Sequence, residues 1–380
     1  MRKCVRIVLL LAVVGGVLSA NQAQAGGDPS LELTEFTVDE KALCELRDQW
    51  IDDLLKTHEH GTWAPIEVEL TDEQLEAVGL PPADVLRKGD YSSPTLVTKD
   101  GRYVDVPLEE LEAEMQSSMT DDATAATYGG TGCLGIRPGA LLLSVTSNSI
   151  GWCTLAHAYG SPGAYDISTA GHCGKNGDTA TVIAGMGNRG GAAGIVLLDF
   201  GRYSRSTGDG GLGRDWALID VDPAFQSLVT PTMCFWGGPR GRFDSSGDTA
   251  TVTFGGNNLL DPEVTVNPNP ALVQTIVHYG HGTGIGAGGT PRVGEAIAWR
   301  QNHFMFTGAI NLGDSGSGAN TLLGDAVGDN MEAAGIITHI WVDPLMRDGI
   351  GIMGGTRATL VGTPATGQIV PWPAPVPGLP

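Results

Sequence analysis

Three short segments of the sequence each hold a polar residue in a setting suited to nucleophilic chemistry. His172 follows a short run of Thr, Ala and Gly, and Asp215 precedes the apolar residues Trp216 to Leu218. Ser315 lies in the glycine-rich segment Gly313 to Gly318. A serine hydroxyl is a poor nucleophile at neutral pH, so an imidazole must take its proton during attack and return it to the leaving group. A buried carboxylate would orient that imidazole and balance its charge, so these residue types together predict acyl transfer through serine.

The three segments resemble the signature motifs of trypsin-like and chymotrypsin-like serine peptidases. Ser168 to Cys173 is similar to the T-A-x-H-C motif of that family, and Arg214 to Ile219 is similar to its D-x-A-L-[ILV] motif. Gly313 to Gly318 resembles its G-D-S-G-G loop, with Ser317 in place of the last glycine. The order along the chain, His then Asp then Ser, is that of chymotrypsin-type enzymes and not that of subtilisins or α/β-hydrolases.

The resemblance covers about Tyr128 to Leu360 and implies a secreted serine endopeptidase that works through an acyl-enzyme. It implies that His172, Asp215 and Ser315 form the catalytic triad. It also implies that the backbone N–H groups of Gly313 and Ser315 form the oxyanion hole, where negative charge develops on the substrate carbonyl oxygen. This mechanism needs no cofactor and no metal.

The sequence around these residues predicts that β-strands position them. Beyond about residue 127 the chain is rich in Gly, Thr and Ser, and Gly or Pro clusters separate short apolar runs, which is typical of an all-β sandwich or barrel. These runs are Leu141–Val145, Ala180–Ala184, Val273–Val277 and Gly335–Ile340. The resemblance implies a more specific fold, a chymotrypsin-like pair of antiparallel β-barrels within residues 127–363. The first barrel would span about 127–236 with His172 and Asp215, and the second about 237–361 with Ser315.

The amino terminus has the pattern of an export signal. Met1 to Arg6 contains three basic residues, Ile7 to Leu18 is apolar, and Ala23 to Ala25 has the A-x-A form of a cleavage site. The apolar run is too short to span a bilayer as a helix. The sequence therefore predicts a signal peptide over residues 1–25 and a secreted protein that does not associate with the membrane after signal removal.

Residues 26–126 form an acidic region with a helical pattern. From Gly26 to Ala125 there are 25 acidic and 7 basic residues, and the rest of the chain to Pro380 has 18 and 12. Such a charge argues against nucleic acid and anionic membranes as partners, because both require a basic surface. Helical spacing from Leu43 to Leu54, a capping box at Thr71 and the run Val106 to Met119 predict helices.

We expect this acidic region to be a pro-region that acts as a folding aid, an intramolecular inhibitor or both, which would make the protein a zymogen. The alternative is an accessory domain that the mature protein keeps. Animal members of the family free an I-V-G-G amino terminus that pairs with the residue matching Asp314, but no such start occurs near Ala126. Asp314 must therefore pair with an internal Arg or with backbone N–H groups. The last segment, residues 364–380, is proline-rich and predicts an extended tail.

The resemblance also implies which substrate residue is preferred before the cut. Ala309 occupies the family position at the floor of the pocket for the residue before the cut, and Thr338 lies on the strand Gly335–Ile340 along which an extended peptide would bind. An apolar floor offers no carboxylate for Lys or Arg, so we expect an apolar residue before the cut. His339 either reads an acidic substrate residue or, as we favour, packs in the protein.

The cysteines predict disulfides rather than a metal site. Cys153 and Cys173 flank a predicted hairpin, twenty positions apart, and Cys133 and Cys234 are the next plausible pair. Export makes such bridges permissible. No C-x-x-C or His/Cys cluster with metal-ligand spacing occurs in the sequence.

Two other functions use the same residues. A catalytically silent homologue would use its cleft or surface as an extracellular binding module. An esterase would use the same acyl-transfer chemistry, although Gly313 to Ser317 does not satisfy the G-x-S-x-G motif.

Overall fold

The computed structural model describes residues 40–66, 69–124, 134–145, 148–189, 192–234, 236–243, 250–251, 265–266, 275–280, 290–309, 313–322, 331–348, 350–362 and 368–371. Helices and strands alternate in the acidic region, in the order α1 (Glu40–Thr57), β1 (Trp63–Pro65), α2 (Asp72–Ala77), α3 (Ala83–Lys88), β2 (Thr95–Thr98), β3 (Tyr103–Asp105) and α4 (Leu108–Thr124).

In the rest of the described chain most of the regular structure is β-strand, in two sets, with short 3-10 helices at Gly171–Cys173, Pro223–Leu228 and Pro344–Asp348. The first set is β4 (Leu141–Val145), β5 (Ile150–Thr154), β6 (Ala158–Ser161), β7 (Ala164–Thr169), β8 (Thr179–Arg189), β9 (Ala192–Ser206) and β10 (Ala217–Val221). The second set is β11 (Ala250–Thr251), β12 (Thr265–Val266), β13 (Thr275–Gly280), β14 (Thr290–Trp299), β15 (His303–Ala309), β16 (Gly318–Leu322), β17 (Met331–Trp341) and β18 (Ile350–Arg357).

Each set forms one antiparallel barrel, except that β11 and β12 pair only with each other. In the second set the order is β17-β16-β13-β14-β15-β18, and β18 pairs again with β17, which closes the sheet. In the first set the order is β5-β4-β8-β9-β10-β7-β6. Because β5 and β6 lie on one short stretch of chain, residues 150–161, that stretch joins the two ends of the sheet. The predicted all-β fold with two antiparallel barrels is confirmed.

The acidic region is partly helical, as predicted, although α3 was not predicted and α4 extends to Thr124, beyond the predicted end at Met119. Thr71 caps α2 through a complete capping box with Gln74, and Gly79 follows with a φ of 83°, a conformation that glycine adopts without strain. Helix α1 covers the predicted run Leu43 to Leu54, and α4 begins directly after Pro107.

The acidic region also contributes strands to both barrels, which the sequence did not predict. Strand β1 pairs antiparallel with β17 of the second barrel, and β2 pairs with both β3 and β9 of the first barrel. Their apolar side chains join the barrel cores: Leu96 of β2 belongs to the main cluster of the first barrel, and Ala64 of β1 to that of the second. Residues before 127 are therefore part of the packed cores of both barrels.

Several predictions fall on parts of the chain outside the described residues. These are the signal peptide, most of the tail from 364 to 380, the junction near 126 and Cys133. Cys234 is disulfide-bonded, and its predicted pairing with Cys133 stays a prediction. Within the described chain, no helix is long and apolar enough to cross a membrane.

Candidate active site

His172 and Asp215 meet at one end of the first barrel. His172 lies in a single turn of 3-10 helix, Gly171–Cys173, directly after β7, and Asp215 lies just before β10. Nδ1 of His172 is 2.6 Å from Oδ2 of Asp215. The other carboxylate oxygen accepts from the backbone N–H of Gly171 at 2.5 Å and of His172 at 3.2 Å. Asp215 is fully buried, and these bonds fix its carboxylate toward the imidazole.

Ser315 reaches the other side of the same imidazole from the second barrel. Its Oγ hydrogen-bonds with Nε2 of His172. Ser315 lies in a tight turn in which the N–H of Ser317 donates to the carbonyl of Asp314 at 3.0 Å. Gly316 has a φ of 84°, and a Cβ there would come within 2.2 Å of Thr169 Oγ1, so only glycine fits.

Strand β5 of the first barrel holds this turn in place. Thr154 donates from its N–H to the carbonyl of Ser315 and from its Oγ1 to the carbonyl of Gly313, both at 2.7 Å. Thr169 Oγ1 in turn donates to the Thr154 carbonyl at 2.9 Å. The turn that carries Ser315 is therefore fixed by residues of the barrel that carries His172.

The predicted disulfide between Cys153 and Cys173 is present. It joins β5 to the turn of His172, and Sγ of Cys173 lies 3.8 Å from Oγ of Ser315. The bridge closes a loop of 20 positions, a constraint worth about 3 kcal/mol.

Asp314 pairs with an internal arginine, one of the two alternatives that the sequence left open. Arg292 Nη1 on β14 donates to Oδ2 of Asp314, and both side chains are buried. The space around the carboxylate is tight, since a Cβ on Gly280 would lie 2.1 Å from Asp314 Oδ1. The negative charge next to Ser315 is thus balanced from within the second barrel.

His339 lies near the same carboxylate oxygen of Asp215 that binds His172. Its Nδ1 is 2.8 Å from Thr338 Oγ1 and 3.9 Å from Asp215 Oδ2, and its Nε2 is 3.4 Å from Asp209 Oδ1. Burial lowers the pKa of His339 below its ordinary value, although the two carboxylates act in the opposite direction. His339 therefore packs inside the protein, as favoured from the sequence, but its place beside Asp215 was not predicted.

The two predicted pocket residues lie in different surroundings. Thr338 is fully buried on β17 beside the turn of Ser315. Ala309 ends β15 opposite Ile350 of β18, and its side chain is exposed. The roles of both residues in substrate binding, and those of Gly313 and Ser315 as oxyanion donors, stay predictions.

Among the residues that the structure describes, two groups of side chains are close enough to hold a metal ion by distance alone. One is Cys153, His172 and Cys173, but its two sulfur atoms form the disulfide. The other is Asp209, Asp215 and His339, in which Asp215 already binds His172 through its Oδ2. Neither group offers a free set of ligands, since a metal would have to displace these bonds.

No protein-family model matches the sequence, and the search of curated proteins gives no match. Among solved structures, the chain is similar to Thermobifida fusca protease A, with 18% identity, coverage of 62% of this chain and 98% of that one, and a TM-score of 0.34. It is similar to a Nocardiopsis protease, with 18% identity, coverage of 58% and 92%, and a TM-score of 0.30. It is also similar to a glutamic acid specific serine protease, with 17% identity, coverage of 62% and 100%, and a TM-score of 0.32. All these values are low, so the double-barrel fold follows here from the strand pairing of the chain itself.

Proposed function

We propose that this protein is a secreted serine endopeptidase made as a zymogen. The observation that carries the proposal is the continuous chain of hydrogen bonds from Asp215 through His172 to Ser315, assembled from two barrels. Three residues that are 43 and 100 positions apart in sequence come into contact in the order that proton transfer from serine requires. The export pattern of residues 1–25 supports secretion.

The proposed mechanism uses groups of this chain only. Ser315 Oγ attacks the substrate carbonyl while His172 Nε2 takes the hydroxyl proton, and the buried carboxylate of Asp215 stabilises the imidazolium. Backbone N–H groups of Gly313 and Ser315 would receive the negative charge on the carbonyl oxygen. The C–N bond then breaks, and His172 gives the proton to the leaving amine. Water, activated by the same imidazole, hydrolyses the acyl-enzyme.

The acidic region, residues 26–126, is proposed to be the pro-region. Its strands and helices contribute to the cores of both barrels, which supports a role in folding them. The competing hypothesis, a domain retained in the mature protein, makes a different prediction for the amino terminus of active enzyme. Sequencing that terminus separates them, since a start near residue 126 supports the pro-region and a start at Gly26 contradicts it.

The experiment that tests the catalytic proposal is covalent labelling with a fluorophosphonate probe, followed by peptide mapping and an assay of casein hydrolysis. We expect the label on Ser315, and neither label nor hydrolysis in Ser315→Ala. Ser317→Ala is a matched control, because it removes a second buried hydroxyl of the same turn and should keep both activities. Hydrolysis of esters without hydrolysis of peptides would favour the esterase, and the absence of label in folded protein would favour the silent homologue.

A further inference from the structure

Strand β1 of the acidic region pairs with the end of β17 that carries His339, the residue close to Asp215. Trp63 lies opposite Trp341, Ala64 opposite Ile340 and Pro65 opposite His339. The N–H of the next residue, Ile66, donates to the carbonyl of Thr338 at 3.0 Å. Such addition of an extended strand to a sheet edge is how peptides bind many proteins.

This pairing brings Ile66 next to the turn of Ser315. Ile337, the neighbour of Thr338, donates its N–H to the carbonyl of Ser317 at 2.9 Å. Its own carbonyl accepts from the N–H of Gly316 at 2.8 Å. Thr338, the strand partner of Ile66, therefore directly follows Ile337, which makes two backbone hydrogen bonds to the turn of Ser315.

After Ile66 the chain crosses to the first barrel. Glu69 forms an antiparallel bridge with Gly151, and the N–H of Leu70 donates to the carbonyl of Ile150 at 3.0 Å. Both partners lie on β5, the strand that holds Ser315 through Thr154. Three residues of extended chain span at most about 10 Å, so the contact of Ile66 with the second barrel and that of Glu69 with the first barrel lie close together.

The side chains of this segment are packed as a ligand would be. Ile66 is only 1% exposed and belongs to one apolar cluster with Ile337 and Ile340 of β17. Trp63 contacts Trp341 edge to face, with ring centroids 5.3 Å apart. Helix α1 contributes Ile51 and Leu54 to the same cluster.

We propose that residues Trp63–Ile66 occupy the substrate cleft in the direction and register of a peptide substrate, with Ile66 in the place of the residue whose acyl group Ser315 takes. This inference rests on the proposed function. It makes the acidic region an inhibitor that acts through its own substrate-like strand. It also names the substrate class of the cleft: extended peptides with an aliphatic residue before the cut and proline before that.

The inhibitory part is tested by the rate at which the probe labels Ser315 in the full chain. In Ile66→Arg a charged side chain cannot stay in an apolar pocket, so the strand leaves and labelling accelerates by about 10-fold or more, since a tethered ligand competes at an effective concentration on the order of millimolar. Ile66→Val keeps a branched apolar side chain and should label at the rate of the unchanged chain. Near-ultraviolet circular dichroism verifies that both variants are folded.

The outcomes separate the two proposals. Equal labelling rates in the unchanged chain and in folded Ile66→Arg overturn the inference while the serine peptidase stands. No label on Ser315 in any folded variant overturns the proposed function itself.

Specificity gives a second test that does not depend on a variant. The full chain is assayed with nitroanilides of the form Trp-Ala-Pro-X, in which X is Ile, Val, Arg or Glu. Residual inhibition lowers all rates equally, so the ratios of kcat/KM remain informative. We expect Ile and Val to exceed Arg and Glu by about 100-fold, the order expected when a buried apolar site must accept a charge. A preference for Arg or Glu would overturn the assignment of Ile66.

Discussion

The acidic region adds a strand to each barrel, and the two strands differ in what they cover. Strand β2 is buried at all four positions and lies between β3 and β9. Strand β1 has three residues, two of them partly exposed, and it lies on β17 beside the turn of Ser315. Both are additions to a sheet edge, but β2 has the burial of a structural element and β1 has the position of a ligand.

The difference shows that pairing alone does not define the role of a strand. Leu96 and Val97 of β2 are fully buried, and each contributes about 1.5 to 3 kcal/mol by leaving water. If β1 occupies the cleft as proposed, substrate can bind only after β1 leaves, so the contacts of β1 must be exchangeable. We therefore expect changes in β2 to act on stability and changes in β1 to act on access to Ser315.

The largest expected effect is the loss of peptide hydrolysis itself. Ser315→Ala should lower peptide turnover by about 10⁴ to 10⁶-fold, because the nucleophile is lost, and should leave Tm unchanged. The measurement is kcat with a peptide nitroanilide, together with a thermal melt. Activity near that of the unchanged chain would refute the nucleophile.

A second variant weakens the second barrel, with which β1 pairs, and leaves β2 and the first barrel unchanged. Arg292→Met leaves the carboxylate of Asp314 buried without its arginine, which costs about 3 to 5 kcal/mol at neutral pH. Urea unfolding should show this loss, and labelling of Ser315 should slow because the turn loses its support. A variant of unchanged stability would mean that the pair is not what holds the turn.

The comparison is tested most directly in β2. Leu96→Ala should lower the free energy of unfolding by about 2 to 5 kcal/mol, because it opens a cavity in the core of the first barrel. The folded protein should nevertheless label at the original rate, unlike Ile66→Arg. Faster labelling in folded Leu96→Ala would mean that both strands control the cleft.

The smallest effect concerns pH and the first barrel alone. Asp166 on β7 lies directly opposite Asp220 on β10, and burial together with this neighbour raises the pKa of Asp166 to about 6 from 3.8. The folded protein then holds the proton more tightly than the unfolded chain, so stability falls as the pH rises from about 4 to 6. Asp166→Asn should remove this fall, as measured by urea unfolding at several pH values between 4 and 7. The same slope in both proteins would contradict the assignment.

The motifs and several elements of this protein were predictable because their signals are local. The capping box at Thr71, the helix through Leu54 and the strand Leu141–Val145 all occur where the sequence places them. The contact between His172 and Ser315 followed from a resemblance, since no local pattern brings together residues so far apart.

The features that the sequence did not predict depend on contacts between residues that are far apart along the chain. Strand β1 is three residues long and contains Pro65, which normally argues against a strand. Its neighbour Ile66 donates to β17, so the alternation of an antiparallel ladder turns the nitrogen of Pro65 away from the sheet, where a missing N–H costs nothing. The sequence likewise does not indicate that Arg292 is the partner of Asp314, because the two residues come together only in the folded protein.

The central claim is tested most directly by mapping the fluorophosphonate label in the unchanged chain and in Ile66→Arg side by side. We expect both proteins to carry the label on Ser315 and the variant to acquire it faster. A folded Ile66→Arg protein with no label on Ser315, or with the label on another residue, would contradict it.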